Sequence, residues 1–206
     1  MSSFKWDEAP EEYVFLLQKA RDLGASGAAL LPAEQVVVDE RVRLKCAVPV
    51  CQGYGNYLHC PPNLMSVAEF REVLERYSVA LLVQVESPRD STDLDEKGLA
   101  GKNAKDLEEL LHGDPNRKLG EIVNRLEAEA FKAGYYYAAG FNGGICLLCP
   151  DCVGVASGDP CRRPFEARPS MEGVGIDVFK TAANAGLSIS LSSDQPVRWT
   201  GLILVD

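Results

Sequence analysis

The sequence predicts an α/β fold, a single layered domain over residues 1–206 with a mixed sheet and cysteine-rich loops at one end; α+β is the alternative. Three observations predict it. Segments of helical and strand periodicity alternate along the chain. Its 206 residues, 46% hydrophobic and 25% charged, suffice for a buried core and leave no case for disorder or coiled coil. No internal repeat, low-complexity stretch or interdomain linker interrupts the pattern.

The first element is a helix, with Tyr13, Leu16, Leu17, Ala20 and Leu23 at helical spacing and Gly24 as its stop. Short apolar runs at Ala28–Leu31 and Val36–Val38 read as strands. The alternation Arg41-Val-Arg-Leu-Lys45 reads either as a strand with one wet face or as charge compensation at a metal. Glycine and proline then break regular structure through CAVPVCQGYGNYLHCPPN. Ser66 and Glu69 form a capping-box signature for a helix with the stripe Phe70, Val73, Leu74 and Tyr77. Val79–Val85 is apolar almost without interruption, as a central strand requires.

Residues 87–103 read as an exposed polar loop and Ala104–Leu111 as a short helix. Asp114 and Pro115 start a long helix whose stripe is Leu119, Ile122, Val123, Leu126, Ala130 and Ala133, with Gly134 ending it. Tyr135–Phe141 reads as a strand leading into a second cysteine-rich loop. A helix near Asp177–Ala185 follows, then strands at Leu187–Leu191 and Arg198–Val205.

The formal net charge is −9, which argues against binding along nucleic acid or an anionic membrane. The polar, acidic start MSSFKWDEAPEEY lacks an apolar signal core, and Val79–Val85 falls well short of the ~20 residues of a membrane span. A cytoplasmic chain is the expectation.

Seven cysteines are the unusual feature, and all lie in two short clusters: Cys46, Cys51 and Cys60, then Cys146, Cys149, Cys152 and Cys161. An odd number without a secretory signal fits a disulfide set poorly. Thiols sorted in this way point to metal. The second cluster begins Cys-x2-Cys-x2-Cys, with Cys161 eight intervening residues later. Thiolates so spaced on a turning backbone can reach different irons of one cubane, whereas zinc knuckles favour separate Cys-x2-Cys pairs. A [4Fe–4S] cluster is therefore favoured over zinc. The late Cys161 departs from the bacterial ferredoxin run, which leaves open whether it closes this cluster or serves another. Gly143 and Gly144 would let the backbone pass close to a bulky group. Arg162, Arg163 and Arg168 would offset cluster charge, or form a solvated basic turn.

The first cluster, Cys-x4-Cys-x8-Cys, is one thiol short of a closed site. His59, a shared cysteine, water or a substrate atom could fill the vacancy, and an open iron would be a catalytic position. Against His59 as a ligand stands the rule that adjacent residues in extended backbone point opposite ways. Tyr54 and Tyr57 shield a cluster or simply pack, and Pro61 and Pro62 stiffen the exit from Cys60.

The segments KCAVPVCQGYGNYLHCPPN (Lys45–Asn63) and CLLCPDCVGVASGDPCRRPFEARPSMEGVGIDV (Cys146–Val178) resemble the domain of unknown function 2284 family of predicted metal-binding proteins. The resemblance rests on both cysteine motifs together, the YG between the second and third cysteines, the CPP, the PCRRP and the RPSMEGVGIDV tail. It implies metal binding in an anaerobic setting, with all seven cysteines as ligands, and no particular activity. The tail reads as packing of Met171, Val174 and Ile176, with Ser170 and Glu172 as polar contacts near the clusters.

The chain carries no dinucleotide fingerprint, Walker loop, nucleophile elbow or HExxH, and its cysteine run is not the Cys-x3-Cys-x2-Cys of radical enzymes. His112 reads as a residue at a helix end. Three functions follow in order of preference. The first is an iron–sulfur protein with one or two [4Fe–4S] clusters, passing electrons to or from a redox partner protein. The second is an enzyme with an open cluster iron that binds a small substrate, and the third a zinc-stabilised interaction module.

Overall fold

A computed structural model describes residues 10–87, 114–189 and 195–206. Helix α1 (Val14–Asp22) follows a short 3-10 turn, and β1 (Gly27–Pro32) follows the left-handed Gly24, φ +85°. Next come α2 (Glu40–Ala47), α3 (Val67–Leu74) and β2 (Val79–Glu86). The long α4 (Asp114–Lys132) precedes β3 (Ala139–Phe141), α5 (Val178–Asn184) and β4 (Arg198–Leu204).

The strands form one sheet in the order β1-β2-β4-β3. Each pairing is antiparallel, from Gly27 opposite Gln84, Ala80 opposite Leu204 and Ala139 opposite Leu204. The layered α/β architecture is as expected, but the mixed strand directions are not found among these strands. An unbroken apolar run reports that both faces of a strand are covered; it does not report strand direction.

Alternate residues divide the core. Leu81, Val83, Leu30 and Ile203 face Leu16 and Leu17 of α1 and Leu119, Val123 and Leu126 of α4. Leu82, Leu31, Leu202 and Leu204 face Phe70 of α3, Ala182 of α5 and the Met171–Ile176 segment. The period of two that sets side chains on opposite faces thus places helices on both sides of the sheet. Ser66 caps α3 through a full capping box with Glu69, as the sequence predicts, but of the expected stripe only Phe70 and Leu74 are buried in the helix: Val73 is exposed and Tyr77 lies past its end.

Five expectations are corrected. Residues Arg41–Lys45 lie in α2, because Asp39 accepts a hydrogen bond from the Arg41 amide and caps a helix there. Val36–Val38 forms no sheet strand; Val38 makes a single bridge to Ile176. The strand before the second cysteine loop is only Ala139–Phe141, since turns occupy Tyr135–Ala138. Leu187–Ile189 is not a strand either. Ala133, expected on the buried stripe of α4, is exposed. The loop from residue 88, the short helix at Ala104–Leu111, His112 and the end of the Leu187–Leu191 expectation lie outside the described residues. Among the described residues no helix is long and apolar enough to cross a membrane.

Candidate metal centre

Both cysteine loops lie against the same segment, Arg168–Met171. Asn142, just past β3, donates its amide to the Pro169 carbonyl and accepts from the Met171 amide, each at 2.9 Å. The next amide, Ser170, donates to the His59 carbonyl at 3.4 Å, so one residue touches the first cysteine loop while its neighbours hold the second. The two loops also approach each other directly: a Cβ on Gly154 would lie 3.2 Å from the Asn56 carbonyl. From the other side, Arg117 of α4 donates to the Leu147 carbonyl at 3.1 Å. The adjacency of clusters half a chain apart is therefore built by backbone hydrogen bonds.

All seven cysteines are free thiols, and they sort into two sites. Cys46, Cys51 and Cys60 line a cleft of about 740 Å³ together with Tyr54, Lys45 and Glu172. Cys46 comes from the last turn of α2, and the Cys51 amide donates back to the Cys46 carbonyl at 3.0 Å. Cys60 is buried, Cys51 exposed. Cys146, Cys149, Cys152 and Cys161 surround a narrow pocket of about 20 Å³ with Tyr57 and His59. That space is near the ~10–15 Å³ a single water requires. Apart from one 3-10 turn at Val155–Ser157, the loop is irregular, so spreading it around a larger core breaks no sheet ladder.

His59 and Cys60 diverge, Cys60 facing the three-thiol cleft and His59 lining the four-thiol pocket, although the backbone there is a turn and not extended. Its Nε2 is buried without a hydrogen-bond partner, and burial, with Arg168 nearby, favours the neutral ring. An orphaned nitrogen beside four thiols is a group that a bound occupant would satisfy.

The arginines are structural. Arg168 makes a two-pronged pair with Glu127 of α4 (2.7 and 2.6 Å) and reaches Asn124 and the Phe165 and Ala167 carbonyls. Arg163 pairs with Glu166, and Arg162 donates to the Asp151 carbonyl. The Arg163 amide points at the Cys161 sulfur, 3.4 Å away, and the Leu148 backbone donates to Cys146. Two of the four sulfurs thus accept backbone amides, as ligand sulfurs of a metal site do, while burial keeps the Cys146 thiol raised. Near the first cluster, Arg41 is held by Asp39, and Arg43 donates to the Met65 and Leu64 carbonyls. Lys45 has no ion-pair partner among the described residues.

Burial is the main force on the thiols. It pushes Cys60 up to about 12, helped by Cys51, Cys46 and Glu172; Cys46 rises for the same reasons, with Arg43 opposing. Glu172 is raised as well, through burial of its carboxylate. The residue keeps some accessible surface and opens onto the cleft. Its side chain accepts from the Gly144 amide at 3.4 Å and has no cation partner among the described residues. Acidic groups gathered in one cleft form a site whose repulsion a cation relieves. The donor set therefore suits a metal in both places. Among the described residues, however, no three His, Cys, Asp or Glu side chains already stand close enough to grip a single ion.

Sequence reasoning placed Glu172 near the clusters but did not assign it to one. It also missed the α5 side of the cleft, where Asp177, Phe179 and Lys180 contribute. The burial of Glu172 is tertiary; the only local signal is an acidic residue between Met171 and Gly173-Val174.

Two tests arise from this geometry. A Cβ on Gly53 would stand 2.9 Å from the Cys60 sulfur and 2.8 Å from Ile145 Cγ2. Gly53→Ala should displace the thiol and lower metal content at the three-thiol cleft several-fold, leaving the other site loaded. Gly55→Ala is the control: Gly55 has φ +71° and nothing near its Cβ position, so the change costs about 1–2 kcal/mol of backbone strain and leaves the thiols in place.

The second test concerns α2. Arg41 holds the Asp39 carboxyl far below the usual carboxylate range, through side-chain and then backbone hydrogen bonds. A depressed folded value stabilises the helix start above the ordinary value of 3.8, and that stability is lost as pH falls below it. Amides of α2 should lose hydrogen-exchange protection on acidification through this range, and Asp39→Asn should remove the step while keeping a cap. Identical pH profiles in both proteins would refute the assignment.

A family model described as a predicted metal-binding protein (DUF2284) matches residues 29–205. No curated protein and no solved structure matches the chain.

Proposed function

Because the chain belongs to the DUF2284 family of predicted metal-binding proteins, we propose that it is an iron–sulfur protein holding [4Fe–4S] clusters at its two thiol sites. In this reading residues 1–206 form one cysteine-rich domain, which exchanges electrons with a partner enzyme in the cytoplasm of an anaerobe. The observation that carries the reading is the sorting of all seven thiols into a set of four and a set of three around adjacent pockets. The amides directed at Cys161 and Cys146 add support, because hydrogen bonds to sulfur tune cluster potential.

A cluster in these sites would supply one-electron redox chemistry. The protein's part is to hold the thiolates, restrict water and keep one edge near the surface. Cys51 is exposed, and beside it Leu44, Val48 and Val50 are 58%, 67% and 69% exposed. An apolar rim next to a solvent-facing ligand suits brief docking of a redox partner.

A second reading, an enzyme with an open iron in the three-thiol cleft, is favoured by one measurement. The cleft's 740 Å³ lies within the ~300–1,000 Å³ of small-molecule sites. The test is spectroscopic. Protein purified without oxygen should be brown, absorb near about 400 nm and bleach with dithionite. A colourless protein whose spectrum ignores reductant overturns both readings and leaves the zinc-stabilised interaction module. An EPR change on adding small anions would favour the enzyme over the carrier.

A further inference from the structure

We propose that Glu172 is the fourth protein donor of the Cys46/Cys51/Cys60 site, its carboxylate taking the place of the missing eighth thiolate. The proposal rests on the iron–sulfur reading of that cleft and adds a ligand to it.

Four observations support the assignment. Glu172 lines the same cleft as the three thiols and not the four-thiol pocket. Gly144, whose amide Glu172 accepts, lines that cleft as well, beside Cys46 and Cys60. The side chain is half-buried, accepts the Gly144 amide at a long 3.4 Å and meets no cation among the described residues. A buried carboxylate without a cation is costly, so a carboxylate facing three thiols is explained if a metal completes the pairing.

The fourth observation is that the backbone fixes the carboxylate's position. Residues Glu172–Val174 form a 3-10 turn, closed by Gly175 at φ +90°. Ser170 Oγ accepts from the Gly173 amide at 3.0 Å. A Cβ on Gly173 would lie 2.6 Å from that oxygen and 2.7 Å from Leu64 Cδ1, so the turn has no room to shift. His59, the other candidate for the vacancy, lines the neighbouring pocket. Carboxylate oxygen is harder than thiolate and leaves its iron the most readily exchanged corner of the site.

The experiment reconstitutes wild type, Glu172→Gln, Glu172→Cys and Cys51→Ala with ferrous iron and sulfide under anaerobic conditions. Iron and sulfide per chain are counted, and EPR spectra are taken before and after mild oxidation. Glu172→Gln, close to isosteric, should lose the iron not held by cysteine and give a [3Fe–4S] signal under conditions that wild type survives. Glu172→Cys should restore full iron content with a shifted signal, since thiolate has replaced carboxylate. Cys51→Ala marks the share of metal that belongs to this cleft.

Unchanged iron content and EPR in Glu172→Gln, with Cys51→Ala losing the site, would overturn the Glu172 assignment and leave the iron–sulfur reading standing. Should Glu172→Gln fail to fold by circular dichroism, Glu172→Cys decides: a spectrum identical to wild type overturns the proposal. Wild-type protein that takes up no iron and sulfide in this cleft overturns the underlying reading instead.

Discussion

Replacing Arg168 with alanine should cost about 3 kcal/mol of folding stability. The guanidinium is the hub between α4 and the segment that both cysteine loops touch. It makes two hydrogen bonds to Glu127, one to Asn124 and two to backbone carbonyls. The paired side chains are only 14% and 21% exposed, so alanine strands a largely buried carboxylate. Glu127 would keep the Gly140 amide as a donor, which places the cost at the lower end of the ~3–5 kcal/mol for broken buried pairs. Urea denaturation at constant metal loading measures it. Replacing both partners, as Arg168→Met with Glu127→Leu, should recover most of the loss. A single-variant cost below about 1 kcal/mol would mean that the pair is a solvent-screened contact.

The second large effect concerns the metal. Cys149→Ala should deplete the Cys146/Cys149/Cys152/Cys161 pocket and leave the Cys46/Cys51/Cys60 cleft loaded; Cys51→Ala should do the reverse. If each site holds one cluster, Cys51→Ala, which leaves two thiolates, removes up to half of the iron and sulfide, and Cys149→Ala, which leaves three, removes at least the iron that Cys149 would hold. The partition has a structural basis. Cys161 lies on the four-thiol pocket with its sulfur facing the Arg163 amide, so in the proposed reading it closes that site and is not lent to the other. Loss of the three-thiol signal in Cys161→Ala would contradict this arrangement.

Which features were legible in the sequence follows from how local their causes are. The capping box at Ser66, the apolar run of β2 and the stripe of α4 are written in neighbouring residues, and each forms as read. Arg41–Lys45 misleads because five alternating residues satisfy a strand template, while the deciding Asp39 cap lies outside that window. Tyr135–Phe141 has strand composition, yet only its last three residues find a partner, in β4. The four-plus-three sorting of thiols was legible because cysteine spacing is itself local. The separation of His59 from Cys60 came out as expected, but a turn and not strand alternation produces it. By contrast, the Arg168–Glu127 pair spans forty-one positions, and the burial of Glu172 depends on the Cys60 loop, α2 and α5 converging on one cleft. No short-range pattern announces either one.

That convergence gives the two sites different characters. The four-thiol pocket is narrow, served by amides and closed by protein on its own donors. The three-thiol cleft is roomy, edged by Lys45, which has no ion-pair partner among the described residues, and the exposed Cys51, and lined by a carboxylate. In the proposed reading the first site stores an electron and the second meets the partner or substrate.

Counting iron, zinc and acid-labile sulfide per chain in protein prepared without oxygen tests the central claim most directly. The account predicts iron and sulfide in equal amounts, divided between the sites as Cys149→Ala and Cys51→Ala divide them. Zinc without sulfide, or iron that survives loss of either thiol set, would contradict it.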